Sequence, residues 1–150
     1  MDRHFGQQPQ SVRAAVDDST TAYIIEARKH FENLRQVAAQ LAGLLVLNAA
    51  GSESAGPHHP LVATADQLYR ETVESLQRER ATPRARRHHD FLLQAASSLG
   101  VALAAAHQGL AVDPVLIPLR AAYDELQSAS RELPGFSMVS FEQGCCGRHA

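Results

Sequence analysis

The side chains with the most distinctive chemistry in this chain are its two cysteines, Cys145 and Cys146, which are adjacent and flanked by glycines. A disulfide between neighbouring residues closes a strained ring and constrains very little of the unfolded chain, so a structural bridge is not expected. Accessible vicinal thiols suit instead a soft metal ion or thiol–disulfide exchange, and the nearby Arg148 and protonated His149 favour the thiolate form. We therefore predict a metal-binding or redox-sensing site of Cys145, Cys146 and His149, with Zn²⁺ or Cu⁺ as the candidate ion.

Residues 144–147, Gly-Cys-Cys-Gly, resemble the C-terminal redox tails of some large thioredoxin reductases, and the cysteine pair resembles the end of mercuric reductases. The chain has neither the G-x-G-x-x-G fingerprint nor the alternation of strands and helices that a flavoenzyme domain requires. No serine lies in a Gly-x-Ser-x-Gly motif either. We therefore expect a protein that is not an enzyme. The alternative for the tail is a chain end whose cysteines have no function.

Composition and charge exclude several classes of protein. The 150 residues are 45% hydrophobic and 20% charged, with a formal net charge of −2, which is ordinary for one globular domain. This balance supplies no overall positive field to attract nucleic acid. The longest apolar runs, 41–47 and 101–106, are far shorter than the ~20 residues of a membrane span. Because no signal-peptide pattern follows Met1 and the cysteines are expected to be reduced, we predict a cytoplasmic protein with no nucleic-acid or membrane partner.

The chain is predicted to be all-α, because alanine (25 residues) and leucine (17 residues) dominate and the body of the sequence shows no two-residue alternation. Capping residues, prolines and glycines predict helices at 20–48, 60–80, 83–107 and 117–133. The first begins at Asp18 or Thr20, and the last begins late because Pro118 would break a helix that started at Pro114. Short connections then favour an antiparallel four-helix bundle over residues 18–134. A flexible N-terminal segment, 1–17, precedes the bundle, and an extended tail, 135–150, follows it.

Each predicted helix carries apolar residues three and four positions apart, which places them on one face. Leu41 on the first helix and Leu99 on the third are expected to lie in the core. A second apolar stripe on the first helix would suit a homodimer.

Eight histidines invite a metal-binding interpretation, but bundle metal sites typically use Glu-x-x-His, which is absent here. Glu71 and Glu74 lie three residues apart on the second helix, and His88 falls on the core face of the third. A Glu–Glu–His site is therefore one interpretation. The interpretation that we favour is that His88 is a partly buried, hydrogen-bonded side chain.

Residues 89–100 are similar to the reactive helix of histidine phosphotransfer domains, which are four-helix bundles with an exposed histidine followed by small residues. The similarity implies phosphotransfer through His89 or His88. The chain departs from that pattern at Leu92 and Leu93, which replace the usual Lys-Gly with large apolar groups.

Residues 136–141 alternate apolar and polar side chains, as a strand does. We predict that Phe136, Met138 and Phe141 lie in a groove between helices, because large apolar side chains seldom remain in water. Addition to a partner and order acquired only on binding are the alternatives.

These features leave three hypotheses for the function. The first is a small non-enzymatic binding or regulatory protein, whose bundle recognises a protein partner and whose Cys-Cys-His tail senses redox state or binds a soft metal. The second is a histidine phosphotransfer protein. The third is a precursor, in which a helical leader is recognised by a modifying enzyme that processes the cysteine-containing tail.

Overall fold

The computed structural model describes residues 17–138, and these residues form helices and loops without a strand. The four α-helices are α1 (Asp18–Ala49), α2 (Pro60–Arg78), α3 (Arg86–Gln108) and α4 (Val112–Glu132), with a 3₁₀ turn at Pro83–Ala85 before α3. The predicted all-α fold is confirmed. The predicted flexible segment lies, except for Asp17, outside the described residues, as does the tail after Met138.

Successive helices run antiparallel, because rising residue numbers on one helix meet falling numbers on the next. The pairs that show this for α1 and α2 are His30 with Glu79 and Asn33 with Thr72. Asp66 with His107 and Tyr69 with Gly100 show it for α2 and α3, and Arg87 with Glu132 and Ser98 with Glu125 show it for α3 and α4. The order is therefore up-down-up-down, as the short connections predicted.

Two helix starts lie side by side at one end of the bundle. The Asp17 carboxylate accepts a hydrogen bond from the Thr20 amide at 2.6 Å, so Asp17 caps α1, one residue before the predicted start. Thr82 caps the turn before α3 as predicted, accepting from the Ala85 amide at 3.3 Å. The hydroxyls of Thr20 and Thr82 are 2.9 Å apart and join the two caps.

The predicted start of the fourth helix is wrong, since α4 begins at Val112 and continues through Pro118. Pro114 lies in the first turn, where its missing N–H would have had no partner. Pro118 deprives the Pro114 carbonyl of its helical donor, which is a real cost. The burial of Val115 and Leu119, one turn apart on the core face, offsets that cost.

The core lies between all four helices and includes Leu41 and Leu99, both fully buried as predicted. The helices α2 and α3 approach closely at Gly100, where a Cβ atom would overlap the Tyr69 hydroxyl. Among residues 17–138, no helix is both long enough and apolar enough to cross a membrane.

Candidate functional site at the tail end of the bundle

The predicted ligands Cys145, Cys146 and His149 lie outside the described residues, so their prediction stands untested. The structure does show how the chain leaves the bundle, over residues 135–138, which we call the tail root. After α4, Gly135 adopts a left-handed backbone with φ of +93°. Its carbonyl then accepts a hydrogen bond from Arg28 Nε at 3.0 Å, and the Ser137 carbonyl accepts from Arg35 Nη1 at 3.4 Å. The tail root therefore lies along α1.

Phe136 holds the tail root on the bundle. Its side chain is buried, and its ring centroid lies 5.4 Å from that of Phe31 and 4.1 Å from that of His88. Met138 is half-buried against the core. The predicted packing of the segment is therefore confirmed for Phe136 and Met138, whereas Phe141 lies outside the described residues.

Met138 lies in an apolar groove between α1 and α4, with a volume of about 670 Å³. We call it the α1–α4 groove. Its walls are formed by Ala38, Ala39 and Ala42 of α1 and by Leu119, Tyr123 and Leu126 of α4. Three alanines on α1 face large side chains on α4, so the two helices leave space between them that their own side chains do not fill. Glu32 and Arg35, paired at 2.9 Å, lie at its polar rim.

The His88 ring, on which Phe136 packs, belongs to a group of polar side chains that we call the buried polar cluster: Tyr23, His30, Glu79, His88 and His89. His88 is 0% exposed, and its Nδ1 is 2.9 Å from the Tyr23 hydroxyl. The His30 Nε2 is 3.5 Å from Glu79 Oε2, and both side chains are largely buried. The His89 ring contacts the Tyr23 ring at a centroid distance of 6.1 Å.

Burial favours the uncharged forms throughout this cluster. It lowers the pKa of His88 to about 4, with a further contribution from the neighbouring His89. It also lowers the pKa of His30 and of His89. Burial, together with the negative charge of Glu26, raises the pKa of Glu79 to about 7. Both shifts oppose the charged forms that an ion pair between His30 and Glu79 would need.

The cluster contains hydrogen-bonding atoms that are not satisfied. Within residues 17–138, no hydrogen-bond partner is found for His88 Nε2, His89 Nδ1 or either carboxyl oxygen of Glu79, whose contact with His30 is an electrostatic one. A depression of about 360 Å³, lined by Lys29 and Ser75 among others, reaches His30 and Glu79 from the surface. The chemistry open to this cluster is proton uptake and release, with His30 and Glu79 beside the depression and His88 out of contact with solvent.

The described residues do not form the predicted Glu–Glu–His grouping. Both glutamates are on the exposed face of α2, where Glu71 accepts from Gln67 and Glu74 pairs with Arg78. That face is not the core face, because the buried residues of this part of α2 are Thr72 and Leu76. No three His, Cys, Asp or Glu side chains in the described part of the chain converge on a possible metal position. The favoured interpretation of His88 as a hydrogen-bonded side chain is confirmed, although the residue is fully and not partly buried.

The phosphotransfer hypothesis requires a histidine that a phosphodonor can reach. Full burial keeps His88 away from any donor, whereas His89 is half-buried. The hypothesis therefore depends on His89.

Sequence reasoning did not single out Tyr23, His30 or Glu79. The spacing of Tyr23, Ala27 and His30 along α1 is the four-and-three pattern of a core face, so the two polar residues could have been assigned to it. Nothing local to Glu79 indicates burial, since it follows the last residue of α2. Comparison of the chain with protein-family models, curated proteins and solved structures finds no match.

Proposed function

We propose that this is a small, non-enzymatic binding or regulatory protein of the cytoplasm, with no nucleic-acid or membrane ligand. Its bundle recognises a protein partner, and its tail residues Cys145, Cys146 and His149 sense redox state or hold a thiophilic ion such as Zn²⁺ or Cu⁺. The observation that supports the proposal is the position of the tail root, which Phe136 and Met138 hold against the bundle at an apolar groove that residues 17–138 leave open.

The α1–α4 groove has the character of a site for a short apolar segment of another protein. Its volume is within the range of about 300–1,000 Å³ that is usual for ligand pockets. Its apolar floor and charged rim match the general composition of protein interfaces, and Tyr123, 41% exposed, is an aromatic side chain of the type enriched there. A second copy of this chain is the other protein partner to consider, because Ile25 and Val46 of α1 are exposed.

The tail keeps its thiols close to this groove through the covalent chain. Cys145 is seven positions after Met138, and even a fully extended chain spans at most about 25 Å over that length. Binding of an ion or oxidation at the thiols therefore takes place within reach of the groove, at a high effective concentration. Two thiolates and one imidazole supply three ligands for Zn²⁺, and water or a partner side chain completes the tetrahedral set.

The experiment is thiol labelling of the native protein, read by intact mass. We expect both cysteines to react quickly, and Zn²⁺ or Cu⁺ to protect both. His149→Ala should weaken the protection, while His107→Ala, which alters a half-exposed histidine on α3, should leave it unchanged. Cys145→Ser/Cys146→Ser should abolish labelling with almost no change in melting temperature. Labelling that becomes fast only after denaturation would show buried thiols and would remove the sensor proposal.

Two further measurements test the two other hypotheses for the function. Phosphotransfer predicts an acid-labile phosphate on His89 after incubation with a phosphodonor and a response regulator. A precursor predicts that protein purified from its own host carries a truncated or modified tail, visible as a changed intact mass.

A further inference from the structure

We propose that the α1–α4 groove is occupied by the chain's own tail segment, residues 139–141, so that the protein carries a built-in competitor for its partner. The inference rests on the proposed function only in treating the groove as the partner site. The position of the segment itself is argued from the course of the chain.

The tail root already runs along α1 in the direction of the groove. The Gly135 carbonyl accepts a hydrogen bond from Arg28. The Ser137 carbonyl, two residues later, accepts one from Arg35, which lies seven residues after Arg28 on α1. Two extended residues advance about 7 Å and seven helical residues about 10 Å, so the segment follows the helix axis closely. Met138 then lies in the groove itself.

Along α1 the groove is lined from Glu32 to Ala42, and its α4 wall includes Leu119. Because Ser137 is bonded to Arg35, the part of the groove ahead of Met138 lies between about Ala38 and Ala42 of α1. Four helical residues cover about 6 Å, whereas three extended residues cover about 10 Å. Residues 139–141 are therefore long enough to fill the remaining length.

The sequence of the segment matches the chemistry of the groove. Val139 and Phe141 are the last large apolar residues of the chain, and the residues that follow are polar, small or cysteine. The groove floor is built from alanine and leucine side chains, with Tyr123 beside them. Burial of Val139 and Phe141 favours docking, and the entropy of ordering the backbone opposes it by a similar amount. Such a segment is readily displaced.

The covalent link explains why this segment is preferred to a second copy. A segment that begins one residue after Met138 is present at the groove at an effective concentration of about millimolar or more, whatever the protein concentration. A separate molecule is present at the groove only at its concentration in solution. An ion held by Cys145 and Cys146, four or five residues beyond Phe141, then restricts the same segment and shifts the competition with the partner.

The test uses the full chain with Cys146→Ser, which leaves Cys145 as the single site for a nitroxide label, and NMR of the alanine methyl groups. We expect the label to remove most of the signal intensity of Ala39 and Ala42 on α1. The signals of Ala63 and Ala104, exposed alanines on α2 and α3, should remain. Equal loss at all four alanines, or no loss at Ala39 and Ala42, would overturn the proposal.

Two variants and a mixture complete the test. Phe141→Asp should restore the Ala39 and Ala42 signals, whereas the matched control Gln143→Asp, which adds the same charge nearer the label, should not. Restoration by both variants, or by neither, contradicts docking through Phe141. In a mixture of spin-labelled and isotope-labelled chains, signal loss at the groove would identify a second copy as the occupant and overturn the proposal. Zn²⁺ protection of the thiols in the unaltered chain is measured separately, so failure of the docking proposal leaves the proposed function standing.

Discussion

The Tyr23 hydroxyl lies 2.9 Å from Nδ1 of His88 in the interior of the bundle, joining residues that are 65 positions apart in the chain. The opposite nitrogen of His88, Nε2, has no partner in the described part of the protein. In the charged imidazolium both nitrogens are donors, so the Tyr23 oxygen can accept from Nδ1 but the Nε2 proton has no acceptor among the described residues. Burial, with a smaller contribution from His89, lowers the pKa of His88 and favours its neutral form. The His88 ring also packs against Phe136 of the tail root.

Tyr23→Phe should lower the free energy of unfolding by about 1–3 kcal/mol, because it leaves the second nitrogen of a buried imidazole without a partner. Urea unfolding near neutral pH measures the effect. Tyr123→Phe is the matched control, since it removes a hydroxyl from a tyrosine that is partly exposed at the groove. Equal effects of the two substitutions would show that the buried contact contributes no stability.

The stability of a Glu79→Gln variant should fall as the pH is lowered from about 6.5 to about 4. The pKa of His88 is about 4 in the folded state and 6.5 in the unfolded chain. As the pH falls below 6.5, the unfolded chain therefore binds a proton at His88 that the folded protein does not, and stability is lost. This histidine accounts for about 3 kcal/mol of the loss, and His30 and His89 add to it because their pKa values are also lowered. Urea unfolding across this pH range gives the slope. NMR should show a neutral His88 ring until the pH approaches 4, and a charged ring at pH 6 would contradict the prediction.

Glu79→Gln should stabilise the protein at about pH 8 and have no such effect at about pH 4. The folded-state pKa of Glu79 is raised to about 7, so its stability contribution is complete below the ordinary value of 4.5 and lost as the pH rises through 7. The gain in the free energy of unfolding at pH 8 is about 3 kcal/mol. Glu71→Gln, an exposed residue of the same helix, is the control and should give no pH-dependent gain. Two parallel pH profiles for wild type and Glu79→Gln would refute the raised pKa.

Leu41→Ala and Leu99→Ala should each lower the free energy of unfolding by about 2–5 kcal/mol, because each removes a fully buried side chain and leaves a cavity. Leu93→Ala, at a position 37% exposed on α3, is the control and should cost much less. Chemical denaturation measures all three. Losses below about 1 kcal/mol at both core positions would place the core elsewhere.

Gly100→Ala should destabilise the protein although alanine is the better helix former by about 1 kcal/mol. The added Cβ meets the Tyr69 hydroxyl, and Tyr69 must move. In the Tyr69→Phe background the same change should be less harmful, because the nearest atom is gone. A double-mutant cycle from thermal unfolding measures the coupling, and additive effects would contradict the close approach.

Much of this fold was predictable because helix formation depends on residues a few positions apart. The Thr82-Pro83 start, the apolar faces of α1 and α3, and the burial of His88 all follow from local capping and from the three-and-four spacing. The start of α4 was not predictable in this way. Local rules penalise Pro118, while the burial of Val115 and Leu119 against the other helices outweighs that penalty.

The candidate site likewise combines features that the sequence predicts with features that only the tertiary structure shows. The sequence by itself determined that two adjacent thiols and a histidine follow a helical bundle, and that an apolar segment precedes them. Only the tertiary structure decided that Phe136 lies on His88, that Glu79 lies beside His30, and that three alanines of α1 leave a groove at the tail root. The physical reason is that burial and desolvation arise from side chains brought together by packing, and the partners in such contacts are far apart in the chain.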